Sequence, residues 1–216
     1  MLNRNDGWER QTMRPVIRGR QAAVSSMKAE ATESARRILE AGGNAFDAAV
    51  AGQAALAVTD FPMNGVGGDA VVLVYNARES KVYSVNAGPR APKLATIEWY
   101  EKNHGGKLPE SDGLLAGGLP GVVDAWYVLL DRWGTMSLEQ VLEPAIELAE
   151  NGFPLSERLA VILAQADKIH KYPTTVKIYL PDGLPPKAGE IFKNIDLAGT
   201  LKKLVEAERE NRHATI

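Results

Sequence analysis

Cysteine is absent from this sequence of 216 residues. The absence excludes disulfide bonds, thiolate metal sites and a cysteine nucleophile, and it is compatible with a reducing compartment. A basic excess is absent as well, because 25 Lys and Arg residues stand against 27 Asp and Glu residues, for a net charge of −2. The chain therefore lacks the positive charge that neutralises phosphates, and we expect no nucleic-acid partner.

Long apolar runs are also scarce. The first 20 residues are polar and charged and contain no apolar core of a secretory signal, so the sequence predicts a cytoplasmic location. An almost uncharged stretch covers residues 45–58, where only Asp47, Gly52 and Gln53 are not apolar. Its 14 residues are fewer than the roughly 20 that cross a bilayer, so we expect no membrane partner. A helix apolar on nearly every side belongs instead in the protein interior.

The usual cofactor and catalytic motifs are incomplete. Residues 65–69 read GVGGD, which lacks the full G-x-G-x-x-G and precedes a strand, whereas the dinucleotide fingerprint follows a strand and opens a helix. The alternative is a tight turn where glycine permits close backbone approach, and we expect no cofactor. Ser25 and Ser26 do not form a G-x-S-x-G elbow. The three histidines lack ligand spacing, so we expect no metal site; they are His104, His170 and His213.

The pattern that is present is rich in helices. Seven segments have helical periodicity, and they cover residues 32–41, 45–58, 97–103, 120–133, 137–151, 156–170 and 196 onward. We predict that Thr32, Asn44 and Asp196 cap their helices, since short polar side chains accept hydrogen bonds from the first turn. Pro144 is predicted to kink or restart its helix, and residues 172–190, with four of the twelve prolines, are predicted to be loop.

Three segments are predicted strands, at residues 16–26, 70–75 and 81–86. The last two form a hairpin, and the continuous apolar run at 70–75 is typical of a strand covered on both faces. A sheet needs more strands than these. The sequence therefore predicts an α+β chain that lacks part of its sheet, with an irregular arm at residues 1–15 and one unit at residues 16–216.

Arg90 is the candidate binding residue. It lies in the loop Pro89-Arg90-Ala91-Pro92, directly after a predicted strand and near the glycine loop if the hairpin forms. A guanidinium held in a rigid loop at the end of a sheet suits bidentate capture of a carboxylate. The alternative is an ordinary surface arginine. The long glycine-rich connection over residues 104–121 is of a length that is more often functional or mobile than idle.

Six blocks of the sequence resemble, in order, the γ-glutamyltranspeptidase family. They run from about residue 19 to residue 204 and read GRQAAVSSMKAEATESARRILEAGGNAFDAAVAGQAAL, NGVGGDAVVLVY, NAGPRAPKLAT, GLPGVVDAW, LEPAIELAENGFPLS and GEIFKNIDLAGTLKKL. The resemblance implies an N-terminal nucleophile (Ntn) hydrolase with an αββα sandwich, made from two subunits cut from one autoprocessing precursor. This chain would supply the helix-rich N-terminal portion. The implied activity is cleavage or transfer of a γ-glutamyl group, as from glutathione.

The family's nucleophile has no counterpart in this chain. It is a threonine in a T-T-H type motif that becomes the N-terminus of the small subunit, whereas Thr174 and Thr175 are followed by Val176 in a proline-rich stretch. Such a threonine uses its own α-amine as base, so cleavage must expose it. The resemblance therefore implies no catalytic residue in this chain, an inactive isolated chain, and a C-terminal (small-subunit) half of the same precursor as partner.

A second departure concerns the family's substrate arginine. Its motif resembles N-A-R-E-x-A-P, but here Gly88 takes that arginine's place and Arg90 follows two residues later. Asp69 stands where the family usually has another glycine. Both features resemble a divergent branch of signal-less γ-glutamyltransferase-like proteins. The resemblance favours Arg90 as a substrate ligand, while its shift leaves open an amidase or acylase of the same fold, and truncation leaves open a non-catalytic scaffold or binding protein.

Overall fold

The computed structural model of the protein describes residues 18–108, 113–165 and 167–214, without the side chains beyond residue 210. The predicted arm at residues 1–15 lies outside these ranges. The described helices are α1 (Ala29–Glu40), α2 (Ala45–Thr59), α3 (Ile97–His104), α4 (Val122–Trp133), α5 (Leu138–Asn151), α6 (Glu157–Ala164), α7 (Pro173–Tyr179) and α8 (Ile195–Ala214). Two antiparallel pairs of strands accompany them, β1 (Ala70–Asn76) with β2 (Lys81–Ala87) and β3 (Phe153–Pro154) with β4 (Ile191–Phe192).

Helix α2 is the buried central helix that the sequence predicts. Its core residues are small or branched apolar side chains on every side, including Val50, Ala51 and Ala54, each fully buried. The predicted cap is confirmed, because the Asn44 side chain accepts hydrogen bonds from the backbone N–H groups of Phe46 and Asp47. Helices α1, α4 and α5 pack around α2 and close the core.

The N-terminal predictions need two corrections. Residues 18–26, the described part of the predicted first strand, form no strand, because no described strand lies beside them to complete a ladder. Helix α1 begins at Ala29, with Lys28 rather than Thr32 in the capping position. The Thr32 hydroxyl lies 2.7 Å from the Ser26 hydroxyl, so it bonds outward from within the first turn instead of starting the helix.

The β1–β2 hairpin is confirmed, with Ala70 opposite Ala87 and Asn76 opposite Lys81. Its inward face carries Val72 and Val74, which pack on the helical core. The prediction that β1 is covered on both faces is wrong for the described chain. The outward face is apolar yet open, with 74% of Val71, 74% of Leu73, 62% of Tyr75 and 68% of Val82 exposed.

Helix α5 runs unbroken through the buried Pro144, so the predicted restart is wrong. Because proline has no N–H, the carbonyl of Gln140 loses its helical donor, and Gln140 is an exposed residue. The buried side chains of Leu142, Ala145 and Ala149 stabilise the helix through packing on the core. The predicted capping box of α5 is confirmed between Ser137 and Gln140.

The last third of the chain contains one more helix than predicted. The helix expected over residues 156–170 ends at Ala164, and a short 3-10 turn follows at Asp167–Lys171. The predicted loop at 172–190 includes α7, which starts with Pro173 in the first turn, where its fixed φ favours a helix. Asn194 rather than Asp196 caps α8, because its side chain accepts the Leu197 N–H at 3.0 Å.

Taken as a whole, the described chain is a helix-rich α+β arrangement with two small sheets. No described helix is both long enough and apolar enough to cross a membrane.

Candidate functional site

The Arg90 loop, residues 88–96, leaves the end of β2 and leads to α3. The hairpin register places Ala87, the last residue of β2, opposite Ala70, which directly follows the glycine loop. The Arg90 loop and the glycine loop therefore lie at the same end of the hairpin. This part of the sequence-based prediction is confirmed by the pairing of the two strands.

The Arg90 side chain is exposed. Among the described residues its guanidinium has no hydrogen-bond or ion-pair partner, whereas its backbone carbonyl accepts the Leu119 N–H at 3.0 Å. The loop's backbone is thus fixed while the charged end of the side chain is open to solvent. Such a guanidinium has five N–H donors available in a planar fork, which matches a carboxylate.

The rest of the Arg90 loop is fixed by short-range hydrogen bonds. The Gly88 N–H donates to the Asn86 side chain at 3.0 Å, and the Ala95 N–H donates to the Pro92 carbonyl at 2.9 Å. Thr96 then caps α3 by accepting the Trp99 N–H. Together with Pro89 and Pro92, which restrict φ, these bonds hold the loop in one path.

The glycine loop contains the predicted tight turn, because the Gly68 N–H donates to the Gly65 carbonyl at 3.4 Å, but the turn does not require glycine on steric grounds. A Cβ added to Gly65 or Gly67 meets no atom within 4 Å, and neither residue has a positive φ. The loop's structural contribution comes from Gly68, whose carbonyl accepts the Gly121 N–H at 2.9 Å and the Val122 N–H at 3.2 Å. These bonds satisfy amides at the start of α4, which have no partner within the helix.

The close backbone approach lies instead at Gly121, and a second one lies at Gly118. A Cβ on Gly121 would meet the Ala87 carbonyl carbon at 3.0 Å, and a Cβ on Gly118 would meet the Pro89 ring. Sequence reasoning missed both positions. The sequence feature that marks both positions is the run GGLPG. Their contacts, Pro89 and Ala87, are about 30 residues away in sequence, and hydrophobic periodicity does not predict contacts between such distant residues.

Two carboxyl groups follow these loops in sequence, Glu98 in the first turn of α3 and Asp69 at the end of the glycine loop. The pKa of Glu98 lies below its usual value, chiefly because its own backbone N–H bonds the carboxylate and then because the Thr96 hydroxyl does. Asp69, at the end of the glycine loop, is exposed. Asp69 therefore places a carboxyl group at the same end of the hairpin as the Arg90 loop.

The three histidines lie on separate elements of the chain. His104 lies exposed at the end of α3 against Trp99, His170 is exposed in the 3-10 turn, and the side chain of His213 is outside the described residues. Within the described ranges no three His, Asp or Glu side chains form a group that could hold a metal ion.

Comparisons with known proteins identify the family of this chain. The family model described as gamma-glutamyltranspeptidase matches residues 31–212. The glutathione hydrolase proenzyme of Bacillus subtilis (strain 168) is 35% identical over 187 residues, which are 85% of this chain and 32% of that protein. The Acylase ACY 1 proenzyme of Pseudomonas sp. (strain SE83) is also 35% identical, over 82% of this chain and 33% of that protein. The chain thus spans about a third of the length of these relatives.

Among solved structures, the crystal structure of Helicobacter pylori gamma-glutamyltranspeptidase matches with a TM-score of 0.84 at 32% identity. The match covers 90% of this chain and 56% of that one. The fold is therefore the helix-rich α+β portion found in an Ntn hydrolase. The chain belongs to the gamma-glutamyltranspeptidase family, and the resemblance seen in its sequence blocks is confirmed.

Proposed function

We propose that this chain is the N-terminal part of the large subunit of a γ-glutamyltransferase-like enzyme, which cleaves or transfers a γ-glutamyl group of glutathione-type substrates. The observation that carries the proposal is the family match over residues 31–212 in a chain that spans 32% of a glutathione hydrolase proenzyme. The name proenzyme supports a precursor that is cut. We therefore propose that the chain is one part of a larger enzyme.

The partner we propose is the C-terminal half of the same precursor. The open face of the β1–β2 hairpin supports this proposal, because Val71, Leu73, Tyr75 and Val82 form an apolar surface on a two-stranded sheet. Exposed contiguous apolar surface of this kind is rare on isolated soluble proteins and marks an interface. A second sheet packed on it would complete the αββα sandwich of the family, about 10 Å away face to face.

The chemistry we propose divides between the two halves. A threonine at the N-terminus of the small subunit attacks the γ-carbonyl carbon, its α-amine takes the hydroxyl proton, and the amide C–N bond breaks. The proton passes to the leaving amine. Water or an amino acid then attacks the acyl-enzyme ester and restores the threonine. In this chain Arg90 binds a carboxylate of the substrate through paired N–H donors, so that the γ-carbonyl faces the nucleophile.

Steady-state kinetics test the role of Arg90. The full reading frame that contains this chain is expressed, and hydrolysis of a γ-glutamyl anilide is followed for the wild type and Arg90→Ala. Loss of a charge-assisted pair is worth about 1.5–3 kcal/mol, so KM should rise about ten- to a hundredfold. The matched control is Arg78→Ala, an exposed arginine in the turn at the opposite end of the same hairpin. A KM unchanged by Arg90→Ala removes Arg90 from the site.

Two other functions are outcomes of the same experiment. Turnover of a simple acyl amide in preference to the γ-glutamyl compound would favour an amidase or acylase, in keeping with the acylase relative and the shift of Arg90. No turnover of either compound by the purified product would favour a non-catalytic scaffold or binding protein. A cytoplasmic location stays a prediction, which fractionation of the source cells tests.

A further inference from the structure

We propose that residues 113–121, here named the bracing segment, fix the position of the Arg90 loop, and that Gly118 and Gly121 are positioning residues of the candidate site. This inference deepens the proposed function and rests on it for the role of Arg90. It concerns residues outside the Arg90 loop itself, and the contacts that carry it join segments far apart in sequence.

The first contact is between Gly118 and Pro89. A Cβ built on Gly118 would meet the Cγ of the Pro89 ring at 3.2 Å, with the ring Cβ closer still, and the Arg90 carbonyl at 3.6 Å. Real Cβ atoms seldom approach other atoms this closely, so only glycine leaves room for the proline that precedes Arg90. The absence of a side chain at residue 118 thus permits the seating of the Arg90 loop.

The second contact is between Gly121 and the end of β2. A Cβ on Gly121 would meet the Ala87 carbonyl carbon at 3.0 Å and its Cβ at 3.2 Å, so the two backbones touch. The neighbouring amides of Gly121 and Val122 both donate to the Gly68 carbonyl. One residue therefore joins the glycine loop, the end of β2 and the start of α4.

Hydrogen bonds complete the connection. The Leu119 N–H donates to the Arg90 carbonyl at 3.0 Å, directly between the two glycine contacts. At the other end of the bracing segment, the Tyr100 hydroxyl of α3 donates to the Leu115 carbonyl at 3.0 Å. The Arg90 loop is thus held by a segment that is itself anchored to α3 and α4. This segment fixes the backbone from which the Arg90 side chain extends.

Amide hydrogen exchange on the 216-residue chain tests the geometry. In Gly118→Ala the new methyl group must displace Pro89, so the Leu119 N–H should exchange at least tenfold faster than in the wild type. The matched control is Gly67→Ala, whose added methyl group meets nothing within 4 Å and whose φ is not positive. It should leave the exchange of the Leu119 N–H unchanged. Unchanged exchange in Gly118→Ala overturns the inference.

A second substitution at Pro89 distinguishes a local displacement of the Arg90 loop from a general loss of structure in Gly118→Ala. Pro89→Gly removes the ring that the new methyl group meets, so Gly118→Ala should have little effect on exchange in that background. An equal effect with and without Pro89 overturns the inference.

Kinetics on the processed full-length protein link the segment to the substrate. Gly118→Ala should raise KM about tenfold with kcat nearly kept, since it displaces a binding group rather than the nucleophile, while the remote Gly199→Ala should change neither. A KM raised by Arg90→Ala but unchanged by Gly118→Ala overturns the inference. A KM unchanged by Arg90→Ala overturns the proposed ligand role instead, and the exchange data then decide the positioning of the loop by themselves.

Discussion

Replacing Asp47 by asparagine tests how the N-terminus of α2 is joined to the α4–α5 connection. The Asp47 carboxylate is fully buried, and four donors bond its two oxygens. Oδ2 accepts the Asn44 N–H at 2.8 Å, the Thr135 hydroxyl at 2.6 Å and, as the longer part of a shared bond, the Thr135 N–H at 3.2 Å. Oδ1 accepts the Thr135 N–H at 3.0 Å and the Met136 N–H at 3.3 Å. A carboxylate accepts at both oxygens, so all these donors have a partner.

Asparagine has one accepting oxygen and one NH₂ group, which points at two or more donors whichever way the amide turns. If the oxygen keeps the bonds at Oδ2, the NH₂ group opposes the Met136 N–H, and the Thr135 N–H keeps only its longer bond of 3.2 Å to that oxygen. Charge-assisted bonds contribute about 1.5–3 kcal/mol each. Because the Met136 bond is long, we expect Asp47→Asn to lower the free energy of unfolding by about 3 kcal/mol.

Urea unfolding followed by tryptophan fluorescence measures this change from the midpoint, provided the m-value is unchanged. Thr135→Val removes only the hydroxyl donor and should cost about 1.5–2 kcal/mol, since the Asp47 carboxylate keeps its backbone partners. The matched control is Asp131→Asn, an exposed carboxylate on α4, with an expected change within about 0.5 kcal/mol. A loss below about 1 kcal/mol in Asp47→Asn would refute the reasoning that the buried carboxylate holds this junction.

Two further predictions concern stability. Gly199 lies exposed inside α8, and an added Cβ meets nothing within 4 Å. Gly199→Ala should therefore raise the free energy of unfolding by about 0.5–1 kcal/mol in the same urea assay. A lower free energy of unfolding would contradict the helical geometry at this position. Burial raises the pKa of Tyr179, so the unfolded chain ionises first as the pH passes about 10. The contribution of Tyr179 to the free energy of unfolding is therefore complete below that pH and is lost as the pH rises through the folded pKa. Tyr179→Phe should remove part of this loss in unfolding curves taken from pH 9 to 12. An identical alkaline loss in the wild type and in Tyr179→Phe would count against burial of the hydroxyl.

Local sequence signals were sufficient for the elements that carry their own caps and periodicity. Helix α2 was predictable because apolar residues cover every side and Asn44 precedes it, and the hairpin because two β-type runs flank a polar turn. Thr32 misled because its hydroxyl bonds back to Ser26 instead of to the first turn of the helix. Helix α7 is not predictable from a rule that treats every proline as a helix breaker, because Pro173 lies in the first turn, where proline is tolerated.

The candidate site was predictable only in part. Flanking prolines singled out the Arg90 loop, and strand pairing then brought it to the glycine loop. The glycines that matter most for its position are Gly118 and Gly121, because their contacts with Pro89 and Ala87 arise only when distant segments meet. The open face of β1 was also beyond the sequence, since a continuous apolar run does not say which part of the protein covers its second side.

We propose that this chain works as the N-terminal part of a self-cleaving γ-glutamyltransferase-like enzyme, of whose relatives it spans about a third. The most direct measurement is the intact mass of the purified product of the full reading frame, with N-terminal sequencing of each polypeptide. We expect two associated polypeptides, one that contains this chain and a second that begins with threonine. A single uncut polypeptide, or a reading frame that encodes no threonine in a T-T-H type context after Ile216, would contradict it.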